Sequence, residues 1–171
     1  MPNSDSHFKQ AKNNIEFLSK ICIDNPRAHW DWKVTVAFYA ALHLVNGHIS
    51  KITGGSFRTH GQTSHALNPY NQASPTKIGV DEHILYDKLQ NLSKRSRYLC
   101  SDSPNNDSPN AHLTYEIHFS RAIRNLDKLM VYFGEKYDID FDEYQFICRE
   151  VRNNESFRYW KVLESVYAVS K

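Results

Sequence analysis

Apolar residues recur at steps of three and four along most of the chain, a spacing that predicts helices rather than strands. The longest such stripe runs from position 29 to position 53 and has Phe38 and Ala41 at its middle. Gly54 and Gly55 follow it, and glycine commonly ends a helix because it adopts the left-handed backbone conformation without strain. We therefore expect one long helix over 29–53, at the centre of the core. The stripe comprises Trp30, Val34, Ala37, Phe38, Ala41, Val45, Ile49 and Ile52.

The same helix carries a second row of largely apolar residues. The row is Trp32, Val36, Tyr39 and His43, at steps of four, three and four. More than half of the helix circumference is then apolar, so the helix contacts at least two neighbours. In a bundle of four or five helices one face still lacks a partner, and two-fold dimers are the commonest way to cover such a face. We therefore expect a homodimer that uses the Trp32/Val36/Tyr39 face or the helix at 111–136.

Three further segments show helical spacing. The first begins at the capping residues Asn3, Ser4 and Asp5 and ends near Pro26, since Asn, Ser and Asp are favoured at helix N-caps. The other two span about 81–98 and about 111–136. Their inward residues are Phe8, Ala11, Ile15, Leu18 and Cys22 in the first, Ile84, Leu85, Leu89 and Leu92 in the second, and Leu113, Ile117, Ala122 or Arg121, Leu126, Leu129 and Phe133 in the third.

Two segments lack this regularity. Residues 53–80 contain four of the six glycines and predict one long loop between the second and third helices; loops of that length in a compact domain are usually functional or mobile. In 137–171, two short stretches fit either a strand or a helical face, and we interpret both as helical. The chain is thus predicted to be a single all-α domain over 1–171, an up-and-down bundle of four to five helices.

Composition narrows the class of protein. The 171 residues are 40% hydrophobic, the mean hydropathy is −0.62, and no run approaches the roughly 20 apolar residues of a spanning helix. The first residues show no basic stretch followed by an apolar one, so we expect a cytoplasmic protein without membrane contact. The three cysteines, Cys22, Cys100 and Cys148, are scattered, which argues against a disulfide framework and a thiolate metal site. We expect neither a metal nor another cofactor.

Charge is unevenly distributed, although the formal net charge is only +2. Residues 51–100 hold seven Lys or Arg against three Asp or Glu, whereas residues 101–150 hold five against ten. A local basic block attracts phosphate ligands because screening limits the influence of distant charges. The other interpretation is two solvated helix faces of opposite sign that dock on each other or on a partner.

Three stretches carry a resemblance to a known family. They read HWDWKVTVAFYAALHLVNGHI, RTHGQTSHAL and LYDKLQNLSKRSRYLC. The chain is similar there, over about 29–100, to the HEPN superfamily (higher eukaryotes and prokaryotes nucleotide-binding), above all to small stand-alone bacterial members. The resemblance implies a helical bundle, commonly a homodimer. It also implies RNA or nucleotide binding and metal-independent ribonuclease activity in an antiviral defence or toxin–antitoxin module, with a protein partner from the same module.

The ribonuclease signature of that family is an Arg followed after four to six residues by a His, on a helix near the C-terminal half. Such a pair suits RNA cleavage, because the attacking 2′-hydroxyl needs a proton acceptor and the developing phosphorane charge needs a cation. No His follows Arg121 or any later Arg, and only Arg58 and His65 have the spacing, in the long loop. The predicted catalytic residues are therefore Arg58, His60 and His65, and the predicted RNA-binding residues are Arg95, Arg97 and His43.

Two hypotheses from different classes follow. The chain is either a protein that binds RNA or cleaves it without a metal, or a catalytically silent helical module that binds a protein partner or its own copy. The basic block at 51–100 favours the first, and the missing late Arg–His pair favours the second. In the second, Arg95 and Arg97 cap the carbonyl end of a helix and His43 is an ordinary core histidine.

Overall fold

The computed structural model describes residues 3–57, 59–98, 114–152 and 154–163. Within these ranges the chain forms five α-helices and two short β-strands, so the prediction of an all-α fold is confirmed. The helices are α1 (Ser4–Asp24), α2 (Trp30–Thr53), α3 (His60–Leu67), α4 (Val80–Tyr98) and α5 (Glu116–Tyr137), and the strands are β1 (Tyr144–Phe146) and β2 (Trp160–Val162).

The predicted central helix is α2. Fifteen of its 24 residues are buried, against ten of 22 in α5 and six of 21 in α1, because it packs against α1, α4 and α5 at once. The helix ends as its glycines predict: Gly54 has a φ of 72°, and its N–H donates to the carbonyl of Ser50. Helices α4 and α5, which line the candidate site described below, both pack on this central helix.

Contacts along α2 give the helix directions. His7, near the start of α1, lies beside His43 in the second half of α2, so α1 and α2 are antiparallel. Trp30 packs on Phe119 at one end and His48 on Phe133 at the other, so α5 runs parallel to α2. Two neighbours of opposite direction flank the central helix, as an up-and-down bundle requires.

The interpretation of 53–80 as one uninterrupted loop is wrong, because the segment contains α3. Thr59 caps this helix by accepting a hydrogen bond from the Gln62 N–H at 3.2 Å, and its Thr63, Ala66 and Leu67 are buried. Eight residues give only two turns, too few for an apolar period to stand out in the sequence. The capping threonine was the available signal.

The interpretation of the C-terminal stretches as helices is also wrong within the described residues. Strands β1 and β2 form a two-stranded parallel sheet in which Tyr144 is paired with Trp160. The sheet is fixed to α1 by Ser19, whose hydroxyl donates to the Gln145 carbonyl at 2.8 Å and accepts from the Gln145 N–H at 3.1 Å. The β-branched and aromatic composition was the correct indicator here. Residues 164–171 lie outside the described ranges.

In the described part of the chain, every helix is too short or too polar to cross a lipid bilayer.

Candidate functional site

A cleft of about 640 Å³ lies between α4 and α5. Five of the nine residues that line it are Lys or Arg, and none is Asp or Glu. We refer to it as the basic cleft. Its lining residues are Lys88, Asn91, Leu92 and Arg95 of α4 and His118, Arg121, Arg124, Asn125 and Lys128 of α5. A cavity with this lining selects for anions.

Helical spacing explains why these side chains meet. On α4, Lys88 and Arg95 are seven residues apart, and on α5 Arg121 and Lys128 are also seven apart, so each pair lies on one face of its helix. The adjoining face of each helix is apolar and buried in the core, as at Leu89 of α4. Packing of the apolar faces therefore places the two basic rows on either side of one groove.

His118 is held in a defined hydrogen-bonding state. Its Nδ1 accepts a hydrogen bond from the Tyr115 backbone N–H at 2.9 Å, so the neutral ring carries its proton on Nε2. Burial, together with the positive charges of Arg95 and Arg121, lowers the pKa of His118 below its usual value. The residue therefore offers a hydrogen-bond donor to a ligand in the basic cleft, and its ring has no lone pair left to accept a proton.

One basic residue of the cleft is fixed by an ion pair. Arg124 donates through Nε and Nη2 to the two carboxylate oxygens of Glu155, at 2.6 and 2.7 Å. These bonds are the main cause that lowers the pKa of Glu155 to about 2. Lys88, Arg121 and Lys128, by contrast, have exposed side chains and lie where a ligand would contact them. Arg124 therefore forms a rigid wall of the cleft.

A second basic surface lies on the other side of α4, against α2 and α3. The Arg97 guanidinium carbon is 5.8 Å from the centroid of the buried Phe38 ring, and the His60 ring is 5.3 Å from the same centroid. Burial, and then the charges of Arg97 and Lys94, lower the pKa of His60. His60 and Arg97 thus share one aromatic neighbour, Phe38. They supply a neutral imidazole and a guanidinium, the two groups that RNA cleavage requires.

The other predicted site residues that the structure describes make their contacts in other parts of the molecule. His65 is exposed, and its Nε2 lies 3.2 Å from the side-chain nitrogen of Asn71. His43 faces α1, where its Nδ1 lies 3.1 Å from Nδ1 of His7, while Arg95 lines the basic cleft. Arg58 lies outside the described residues. Among the six predicted residues, the contacts in the described ranges bring one pair close together, His60 and Arg97.

Sequence reasoning missed most of the basic cleft. Arg121 and Lys128 come from the segment 101–150, whose net negative charge indicated a surface that repels anions. Some acids of that segment are engaged elsewhere: Asp127 accepts hydrogen bonds from two backbone N–H groups of the C-terminal segment, and Glu116 pairs with Arg149. The signal that could have revealed the cleft is the seven-residue repeat of basic residues on each helix.

No group of three or more His, Cys, Asp or Glu side chains that could hold a metal ion occurs among the described residues. No protein-family model matches the chain, and neither the curated proteins nor the solved structures include a detectable match. Membership of the HEPN superfamily therefore stays a prediction.

Proposed function

We propose that this chain binds RNA through phosphates that enter the basic cleft. The observation that carries the proposal is the lining of that cleft, with five Lys or Arg and no carboxylate. Phosphate contacts supply most of the affinity in sequence-independent binding of nucleic acids, and Lys and Arg are the residues that make them. The HEPN resemblance supports the same ligand class.

The remaining lining residues suit a phosphate ligand as well. His118 provides an N–H donor whose tautomer is set by the Tyr115 backbone, and the amides of Asn91 and Asn125 provide further donors. The volume of about 640 Å³ falls within the range of ordinary ligand sites. A free nucleotide would offer the same phosphates, so the test includes both ligands.

The test is titration of the protein with a fluorescein-labelled 12-nucleotide RNA and with labelled ATP, at several salt concentrations. We expect RNA affinity to fall steeply with salt, because bound phosphates release counterions. Arg121→Gln or Lys128→Gln should weaken RNA binding and reduce the salt slope by about one phosphate contact each. Lys9→Gln is the matched control, since Lys9 is an exposed lysine of α1 outside the cleft.

Equal effects of Arg121→Gln and Lys9→Gln would contradict the proposal and favour the silent interaction module. Tighter binding of ATP than of RNA, lost in Arg121→Gln, would assign the cleft to a nucleotide instead.

The second candidate function is metal-independent RNA cleavage, and the contact of both His60 and Arg97 with the Phe38 ring favours it. In this proposal neutral His60 accepts the proton of the 2′-hydroxyl as its oxygen bonds to phosphorus, and Arg97 stabilises the charge that develops on the phosphate. The bond from phosphorus to the 5′-oxygen of the next nucleotide breaks, which leaves a 2′,3′-cyclic phosphate, and the released 5′-oxygen takes a proton from water. Cleavage of the same RNA in the presence of EDTA should then be lost in His60→Ala and kept in His43→Ala, while binding to the cleft stays unchanged. Such activity would suit an antiviral or toxin–antitoxin module.

A further inference from the structure

Two large aromatic side chains on α2 are partly exposed in the described part of the chain. Trp32 is 61% exposed and Tyr39 is 37% exposed. Seven residues separate them, so they lie on the same face of the helix, about 10 Å apart along its axis. We call this the α2 aromatic face. Exposed apolar residues that share one surface mark interaction sites, whereas singly scattered ones are ordinary.

The α2 aromatic face has basic neighbours. The guanidinium carbon of Arg97 is 5.9 Å from the centroid of the Tyr39 ring, and His60 packs on Phe38, the residue next to Tyr39. The Tyr39 ring also makes an edge contact with Phe38 at 5.7 Å between centroids, which helps to fix its orientation. An aromatic platform with a cation beside it has the chemistry that single-stranded nucleic acids bind.

The last turn of α4 lies between this face and the basic cleft. Arg97 of that turn lies against the aromatic face, and Arg95, two residues earlier, lines the cleft. The same turn of α4 therefore places one cation toward the cleft and another toward the α2 aromatic face.

We propose that Trp32 and Tyr39 stack on unpaired bases of single-stranded RNA, which makes this chain selective for single strands over duplexes. The proposal rests on the function proposed above. In a duplex the flat faces of the bases are covered by their neighbours, whereas in a single strand they are accessible to aromatic side chains. The spacing of about 10 Å is about three times the rise of one stacked base, so the two rings engage bases that are not stacked neighbours.

The test compares two labelled oligomers of equal length and charge: a 12-nucleotide RNA, and a ribose-phosphate 12-mer that lacks its bases. Wild type should bind the RNA at least about tenfold more tightly than the abasic oligomer. Trp32→Ala or Tyr39→Ala should reduce RNA affinity about 5- to 100-fold and leave the abasic affinity unchanged. Trp32→Phe should retain most of the RNA affinity, because a ring remains.

Tyr70→Ala is the matched control, since Tyr70 is 75% exposed but lies in the connection between α3 and α4. It should change neither affinity. Arg121→Gln should weaken binding of both oligomers, because both carry phosphates. If Arg121→Gln acts in this way while Trp32→Ala changes neither affinity, the stacking proposal is overturned and the proposed function stands. If Arg121→Gln has no effect on either oligomer, the proposed function itself fails.

Sedimentation of wild type and Trp32→Ala separates base stacking from the predicted dimer. A dimer that becomes a monomer in Trp32→Ala, with an unchanged ratio of RNA to abasic affinity, would assign the α2 aromatic face to self-association and overturn the proposal. An unchanged sedimentation coefficient together with a reduced ratio supports it.

Discussion

Phe38 is the core residue that both His60 and Arg97 contact, so it supports the second basic surface. Its side chain is fully buried, and its ring lies 5.3 Å from His60 and 6.0 Å from Tyr86 between centroids. We expect Phe38→Ala to lower the free energy of unfolding by about 3–5 kcal/mol, the usual cost of removing a buried ring and leaving a cavity. Urea denaturation followed by circular dichroism measures this loss.

Phe38→Leu, which fills most of the volume, should cost clearly less than the alanine variant. A loss below about 1 kcal/mol in Phe38→Ala would show that the neighbouring side chains collapse into the space, and Phe38 would then not anchor the surface.

At the scale of single residues, the sequence indicates which chemical groups a site could use better than it indicates where the fold places those groups. Arg97 and His60 were both selected for residue type, as a cation and an imidazole that could share one site, and their contacts lie around one ring. His43 was selected by the same reasoning, but its neighbour is His7, 36 positions earlier in the chain. His118 was not selected, because its defined tautomer depends on a backbone N–H at the start of α5. Such partners are set by helix packing and capping, which spacing alone does not specify.

At the scale of elements, α1 and α2 were predictable because long amphipathic helices repeat their pattern over many turns. Their predicted ends agree with the observed ones to within about two residues. Helix α5 was expected to begin near 111, yet Thr114 and Tyr115 precede it outside the helix. Three-residue strands such as β1 and β2 carry too few residues for a period, and the sheet depends on pairing across 16 positions. The long helices of the core could therefore be predicted from the sequence, and the short strands of the C-terminal segment could not.

The packing of α1 on α2 depends on Gly47. A methyl group at this position would lie 2.6 Å from Cδ1 and 2.9 Å from Cζ of Phe8, closer than atoms in a core approach. We expect Gly47→Ala to lower the free energy of unfolding by about 1–3 kcal/mol, because the ring or the helix must shift. Thermal and urea denaturation measure the change.

Gly61→Ala is the matched control for this clash. Gly61 lies in α3, and among the described residues, apart from its chain neighbours and the helix backbone, no atom lies within 4 Å of the position that a methyl group would take there. Alanine should therefore leave stability unchanged or raise it by about 0.5–1 kcal/mol. Equal stabilities of Gly47→Ala and wild type would mean that α1 and α2 can separate without cost at this contact.

At the scale of the whole molecule, folding rearranges charge that the sequence distributes by segment. The basic cleft takes Lys88 and Arg95 from a basic stretch and Arg121 and Lys128 from an acidic one. The net charge of +2 gives no indication of such a cleft. The proposed function therefore follows from the local charge of the cleft and not from the net charge of the chain.

Buried histidines give the molecule a defined response to acid. Burial lowers the pKa of His7, His43 and His48 below the unperturbed value of 6.5. Fully buried His48 places Nδ1 against the Tyr137 hydroxyl and Nε2 2.9 Å from the Thr76 carbonyl oxygen. In the neutral ring Nε2–H donates to that carbonyl and Nδ1 accepts from the hydroxyl. A second proton would remove the acceptor, so the folded state favours the neutral form.

The sign of the pH dependence follows from these lowered values. Below pH 6.5 the unfolded chain takes up protons that the folded chain does not, so the free energy of unfolding falls as the pH is lowered. Each such proton contributes a slope of up to about 1.4 kcal/mol per pH unit. We expect urea denaturation to give lower stability at pH 5.5 than at pH 7.5. The raised pKa of Asp127 acts in the opposite direction, which is why the comparison stays at pH 5.5 and above.

Variants identify the groups responsible for the acid response. His43→Gln removes one histidine that burial keeps neutral, so the difference in stability between pH 7.5 and pH 5.5 should shrink, whatever the change in absolute stability. His65→Gln alters an exposed histidine and should leave the difference as it is in wild type. Equal stability at the two pH values, or higher stability at pH 5.5, would show that these buried rings accept protons in the folded state. The hydrogen bonds of His48 would then have to rearrange, since a ring protonated on both nitrogens can only donate.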